Sequence, residues 1–174
     1  MKTAIVNELK DFLKDGKKIV VVGVGNELRG DDGVGVAVAN ILKKKMGDRV
    51  TVLLGGMAPE NITGKIKRLN PSHLIFIDAA DFGGSPGDVI IADPHSITWK
   101  SISTHTLPLS MISEYLKKEM GVKVLLLGIQ VEQSIFGSEM GPKVAKAVDK
   151  VTSIFEELLQ RRRINLFRKI AGRK

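Results

Sequence analysis

The chain has 174 residues, 43% of them hydrophobic, and a formal charge of +8 at pH 7, a length that fits one domain around a single sizeable core. It contains no cysteine, which excludes disulfides, thiolate metal sites and cysteine nucleophiles and leaves oxygen and imidazole as the ligands for any metal. No apolar run approaches the roughly 20 residues that cross a bilayer, and Met1 to Lys18 is charged throughout with no secretory segment, so a cytoplasmic protein without membrane insertion is expected.

In chain order, Ile5, Val6, Leu9, Phe12 and Leu13 share one face of an amphipathic helix over 3–15 that Gly16 ends. Ile19 to Val24 is a near-continuous apolar run, the pattern of a strand buried on both faces. A glycine-rich stretch, Gly23 to Gly35, follows with Glu27, Asp31 and Asp32 in it, and is too acidic to cradle phosphate. Val36, Val38, Ala39, Ile41 and Leu42 then recur at helical spacing, closed by Lys43 to Lys45 where the helix dipole favours cations. Val50 to Leu54 reads as a second strand broken by Gly55-Gly56, with a short helix from Pro59. Leu74 to Ile77 reads as a third, bounded by Pro71 and Asp78.

Residues 78–87 read as loop and Asp88 to Ala92 as a short strand, a candidate edge hairpin. Pro94 to His105 is polar and irregular, and Pro108 to Met120 is an amphipathic helix carrying Leu109, Ile112, Tyr115 and Leu116. Lys123 to Ile129 is the last buried strand, Gln130 to Gly141 a loop, and Pro142 to Gln160 a long helix with Val144, Val148, Val151, Ile154, Phe155 and Leu158 facing inward. Strands separated by helices predict an α/β fold on a parallel doubly wound sheet. Residues 1–160 read as one domain and 161–174 as a basic tail. Arg161, Arg162, Arg163, Arg168, Lys169, Arg173 and Lys174, with no acid among them, carry nearly all the excess charge. Such a run is usually a solvated extension; docking to RNA, a membrane surface or an acidic partner is the sharper alternative. One tryptophan and one tyrosine offer few stacking platforms for bases.

Two enzyme motifs fail on inspection. A dinucleotide fingerprint beginning at Gly23-x-Gly25 needs glycine where Leu28 stands and an acid where Leu54 stands, and no Walker lysine follows. Gly83-Gly-Ser-Pro-Gly87 spells a nucleophile elbow, but its serine precedes a strand and Pro86 has no N–H for an oxyanion. The structural reading of Asp31 and Asp32 is a helix cap, though one cap needs one aspartate. For strand order 2-1-3-4-5, the acids after strand one and Asp78 after strand three meet at the switch point, where ligands of open α/β sheets bind. Two carboxylates in a semi-buried cleft repel unless a cation lies between them, which points to a metal with a histidine as third ligand. Of the three histidines, His73 precedes a strand at the opposite edge, as a surface or bottom-face residue, and His95 lies in a loop. His105 sits before a helix in a strand-to-helix connection, where position alone leaves it between ligand and solvated side chain.

Gly23-x-Gly-Asn-x-Leu-x-x-Asp-Asp-Gly-x-Gly35, Ile77-Asp-Ala-Ala-Asp81 and Thr104-His-x-x-Pro-Leu109 together resemble the [NiFe]-hydrogenase maturation endopeptidases. Gly55-Gly-Met-Ala-Pro-Glu60 and Leu127-Gly-Ile-Gln130 extend the match, and it looks nearest to the branch serving formate-hydrogenlyase-type (hydrogenase 3) large subunits. The resemblance runs from about Ile19 to Gln160. It implies an α/β/α sandwich, a three-layer fold on a mostly parallel twisted sheet of about five strands. It also implies an endopeptidase of aspartic or metal-dependent type that removes the C-terminal extension of a large-subunit precursor. Position by position, Asp32, Asp78 and His105 match the family's metal-contacting triad, with Asp32 or Asp78 as catalytic base. Nickel carried by the precursor would be the recognition element, so the implied partner is that precursor, with no nucleic acid. Many members have an acid where this chain has Leu54. The alternatives are a non-catalytic nickel- or partner-binding chaperone and a Rossmann-like nucleotide-binding module.

Overall fold

The computed structural model describes residues 2–46, 50–92 and 109–171. Among them, helix α1 (Lys2–Leu13) precedes strand β1 (Ile19–Val24), a 3-10 turn at Gly30–Gly33 and helix α2 (Val34–Met46). Strand β2 (Thr51–Gly56), a second 3-10 turn at Pro59–Ile62, helix α3 (Thr63–Leu69) and strands β3 (His73–Ala80) and β4 (Val89–Ala92) follow. Helix α4 (Leu109–Met120), strand β5 (Lys123–Gln130) and helix α5 (Pro142–Ala171) complete the order.

The expected three-layer α/β/α fold is present. The sheet order is β2-β1-β3-β5-β4; β1, β2, β3 and β5 run parallel and β4 antiparallel to β5. Every residue of β1 and β3 is buried, because alternate side chains enter two separate cores. Val21, Ile75, Ile77 and Leu127 pack with Leu9 of α1, Leu42 of α2 and Phe155 of α5 on one face. On the other, Val20, Val22, Phe76 and Leu126 pack with Ile66 of α3 and Ile112 and Leu116 of α4.

Four expectations need correcting. The far edge is 5-4 rather than 4-5, so β4 is an edge strand but not a hairpin with β3. Gly87 donates to the Gln130 carbonyl at 2.9 Å and Gln130 donates to the Asp88 carbonyl at 2.8 Å, which ties the loop after β3 across the end of β5 and delivers β4 to its outer side. Second, β3 does not stop before Asp78: pairing with β5 continues through Asp78–Gly128, Ala79–Ile129 and Ala80–Gln130. Third, α5 continues past Gln160 to Ala171, since no glycine or proline interrupts 143–171, and part of the basic tail is therefore helical. Fourth, His73 is not a surface residue. It opens β3 at the sheet's N-terminal end, 2% exposed, in keeping with the bottom-face alternative. His95 and His105 lie outside the described residues.

Candidate active site

Glycines let backbone approach backbone where β1 hands over to α2. A Cβ on Gly35 would run into the carbonyl oxygens of Val24 and Ile77, and one on Gly23 into the Gly35 carbonyl and the Ala39 methyl. The first turn of α2 thus rests directly on the C-terminal ends of β1 and β3, closer than any side chain allows. Gly25, at φ 133, turns the chain out of the sheet while its N–H donates to the Gly56 carbonyl at 3.0 Å. The last β1–β3 pair is Gly23 with Ile77. Asp78 stands one residue beyond it, where the two strands diverge.

Asp32 sits in the 3-10 turn above this crevice, 1% exposed. Its Oδ2 accepts the Asn26 N–H at 3.1 Å, and the same N–H lies 3.2 Å from the Asp32 carbonyl oxygen. Asp78 is 8% exposed, its Oδ1 accepting the Ala79 N–H at 2.8 Å; its partner across the ladder, Gly128, has no side chain to cover it. Topology and burial therefore bring Asp32 and Asp78 to one end of two adjacent strands. Each carboxylate accepts a backbone N–H.

Asp31 has a different task. It is fully buried, and its carboxylate accepts the N–H groups of Glu132 at 3.0 Å, Gln133 at 3.3 Å and Gly141 at 2.7 Å. These three bonds bind the ends of the 131–141 loop to the glycine-rich loop. The helix-cap reading of the aspartates does not hold: the capping position of the turn is Arg29, with no side-chain cap bond, while Asp31 binds the 131–141 loop and Asp32 binds Asn26. Arg29 adds bonds from Nε to Ser134 Oγ at 3.2 Å and from its guanidinium to the Ser134 carbonyl at 2.9 Å. A cleft of about 320 Å³ lies between the two loops, lined by Glu27, Gly30 and Gly33 from one, Ser138, Glu139 and Met140 from the other, and Ala37 of α2.

Sequence reasoning placed Gln130 in the match and at the start of a loop but gave it no role; it ends β5. Its Oε1 accepts the N–H groups of Phe82 at 2.9 Å and Gly84 at 3.1 Å, while Nε2 donates to Asp81 Oδ1 at 3.2 Å and the Val131 carbonyl at 2.9 Å. It locks the loop after Asp78, and the available signal was a buried-strand amide aligned with the end of β3. Ser85 is confirmed as part of a turn: its N–H donates to Asp88 Oδ2 at 3.0 Å and its carbonyl accepts the Asp88 N–H at 2.8 Å.

Among the described residues no three His, Asp or Glu side chains form a metal-binding group, and His105 falls outside them. A buried carboxylate pair of this kind suits two tasks, taking a proton from water and ligating a cation.

The comparisons with known proteins agree with this fold. A family model described as hydrogenase maturation protease (HycI) matches residues 36–158. The hydrogenase 3 maturation protease of Escherichia coli K12 is 36% identical over 133 residues, covering 76% of this chain and 85% of that one. The crystal structure of the [NiFe] hydrogenase maturation protease HycI from Thermococcus kodakarensis superposes with a TM-score of 0.80 at 35% identity, over 88% of this chain and 99% of that one. The hydrogenase maturating endopeptidase HybD of Escherichia coli gives a TM-score of 0.69 at 28% identity, over 83% and 93%. With a matching family model across most of its length and relatives above 30% identity, the chain belongs to the hydrogenase maturation protease family.

Proposed function

We propose that this enzyme removes the C-terminal extension of a [NiFe]-hydrogenase large-subunit precursor once nickel has been inserted. Nickel in the precursor is read through Asp32, Asp78 and His105. The observation that supports this most is the pair of buried carboxylates, Asp32 at 1% and Asp78 at 8% exposure, on adjacent strand ends where the open sheet presents its ligand crevice.

Three oxygen and nitrogen ligands would leave positions on the ion for the precursor's own groups, so the metal arrives as part of the substrate. Nickel then fixes the chain across the crevice and polarises the scissile carbonyl or a water. Asp32 or Asp78 takes a proton from the attacking water as its oxygen bonds to the carbonyl carbon. The C–N bond breaks, and the proton passes to the departing amine. The absence of cysteine and the turn role of Ser85 both disfavour a covalent intermediate. A resident zinc protease site would differ, with preorganised protein ligands such as the two histidines of an H-E-x-x-H helix, a motif this chain lacks. The purified enzyme should therefore hold little metal. A chaperone without catalysis would instead form a nickel-dependent complex with intact precursor and release no shortened product.

The test is incubation with nickel-loaded and nickel-free precursor followed by mass measurement of its C-terminus. Cleavage of the loaded form alone is expected. Efficient cleavage of metal-free precursor in a chelator would overturn the role given to nickel.

A further inference from the structure

The described residues include seven exposed large apolar side chains, and five of them lie at or after the C-terminal ends of strands, the end of the sheet that holds this crevice: Leu28 at 63%, Leu54, Met57, Ile135 at 58% and Phe136 at 69% exposure. Leu54 and Met57 belong to β2 and the segment just after it, on one side of β1 and β3 in the sheet order, and Ile135 and Phe136 to the loop after β5, on the other. Leu28 joins the second group, since its carbonyl accepts the Gly137 N–H at 2.8 Å. Clustered apolar exposure rimmed by polar groups marks an interaction surface, whereas scattered exposure does not.

The loop that carries Ile135 and Phe136 is held by Asp31, whose carboxylate binds the backbone at 132, 133 and 141, and by Arg29 at Ser134. Asp31 is the neighbour of Asp32 in one short turn. The Asn26 N–H bonds to Asp32, and Leu28 lies two residues beyond Asn26, no more than about 7 Å of extended chain. The same turn therefore sets the position of the reacting carboxylate and of the apolar lip.

Resting on the function proposed above, we infer that Leu28, Ile135 and Phe136 form a docking lip for an extended apolar segment of the large-subunit precursor beside the cut, and that Asp31 is the positioning residue holding this lip in register with Asp32. Continuity with the crevice favours this occupant: a polypeptide laid across Asp32 and Asp78 must pass between the two apolar groups. A linear segment meets both, and the adjoining cleft between the loops can take one of its side chains.

The test measures steady-state processing of nickel-loaded precursor by the wild type, by the double variant Ile135→Ser/Phe136→Ser and by Asp31→Asn, with sedimentation of each free enzyme. Ile135 and Phe136 are exposed, so their replacement leaves the fold intact even if Asp31→Asn does not fold. The double variant should raise KM at least ten-fold while kcat falls less than two-fold, and folded Asp31→Asn should do the same in smaller degree, with Asp31→Glu recovering part of the loss. Unchanged KM in the double variant beside an active wild type overturns the lip and leaves the proposed function standing. Unchanged KM together with loss of a dimer assigns the patch to a second copy of this chain. Failure of the wild type to cut loaded precursor overturns the function, and the lip with it.

Discussion

The two ends of the parallel sheet treat the same residue types in opposite ways. At the N-terminal end, Asp15 lies 2.6 Å from the Lys123 ammonium and 3.2 Å from His73 Nε2, and His73 Nδ1 is 3.0 Å from Ser72 Oγ. The Phe12 ring meets the imidazole edge-on, with centroids 4.9 Å apart. The N–H groups of Lys17 and Lys18 both donate to Ser72 Oγ, so this is a clamp joining the end of α1 to β3 and β5. Lys123 beside Asp15 holds the carboxyl below its ordinary value of 3.8. At the C-terminal end, Asp31, Asp32 and Asp78 are all buried and accept backbone N–H groups, Asp31 and Asp32 from loops and Asp78 from Ala79 of its own strand. An ion pair at the solvent boundary ties elements together at little cost. Carboxylates sunk into the protein are costly to bury, and a fold keeps them where chemistry needs them. His73 is thus structural, and of the two acids that resemble helix caps Asp31 ties loops together while Asp32 is the one proposed to react.

The sharpest way to break this contrast is Asp78→Asn, which should lower precursor processing by about 10²- to 10⁴-fold, the range typical of a general acid or base, while the thermal midpoint moves little. Mass measurement of the precursor C-terminus and a melting curve check both; full activity would return Asp78 to the structural class. Gly35→Ala comes next. A methyl there meets two strand carbonyls, and overpacking against backbone should cost about 3 kcal/mol or more, seen as a lowered urea midpoint. Gly64→Ala on α3, where a Cβ meets nothing nearer than 3.8 Å, should be neutral or mildly stabilising.

Truncation after Gln160 should spare cleavage itself, since the basic run lies outside the motifs at 23–35, 77–81 and 104–109. If the run steers docking to an acidic surface, the truncated enzyme associates more slowly than the full chain at low salt and equally near 1 M, where screening removes the steering. A truncated enzyme inactive at every salt concentration would place the tail in the catalytic machinery. A small effect is expected at the clamp. Because the pKa of Asp15 is depressed on folding, its contribution is present above pH 3.8 and fades as pH falls through the folded value. Asp15→Asn should therefore lower the thermal midpoint slightly at pH 7 and hardly at all at pH 2. A difference that grew on acidification would reverse the sign assigned here.

Much of this molecule could be read from residue order. The apolar runs Ile19 to Val24 and Leu74 to Ile77 determined two strands buried on both faces, because only a sheet covered by helices on each side hides every side chain of a strand. The helical spacing in 34–46 and 142–160 determined which faces pack inward, and the acids after the first strand together with Asp78 determined that one crevice would receive them. Tertiary structure decided the rest. The far edge became β5-β4 because the Gln130 backbone and side chain capture the loop over 81–88, a contact between residues more than forty positions apart that no local pattern encodes. The two adjacent aspartates took separate roles for the same reason: Asp31 reaches the 131–141 loop, Asp32 faces the crevice, and only the approach of α2 to the strand ends, permitted by Gly23 and Gly35, tells one from the other. Periodicity records which side of an element is buried. What a buried carboxylate binds depends on segments the sequence holds far apart and the fold brings within 3 Å.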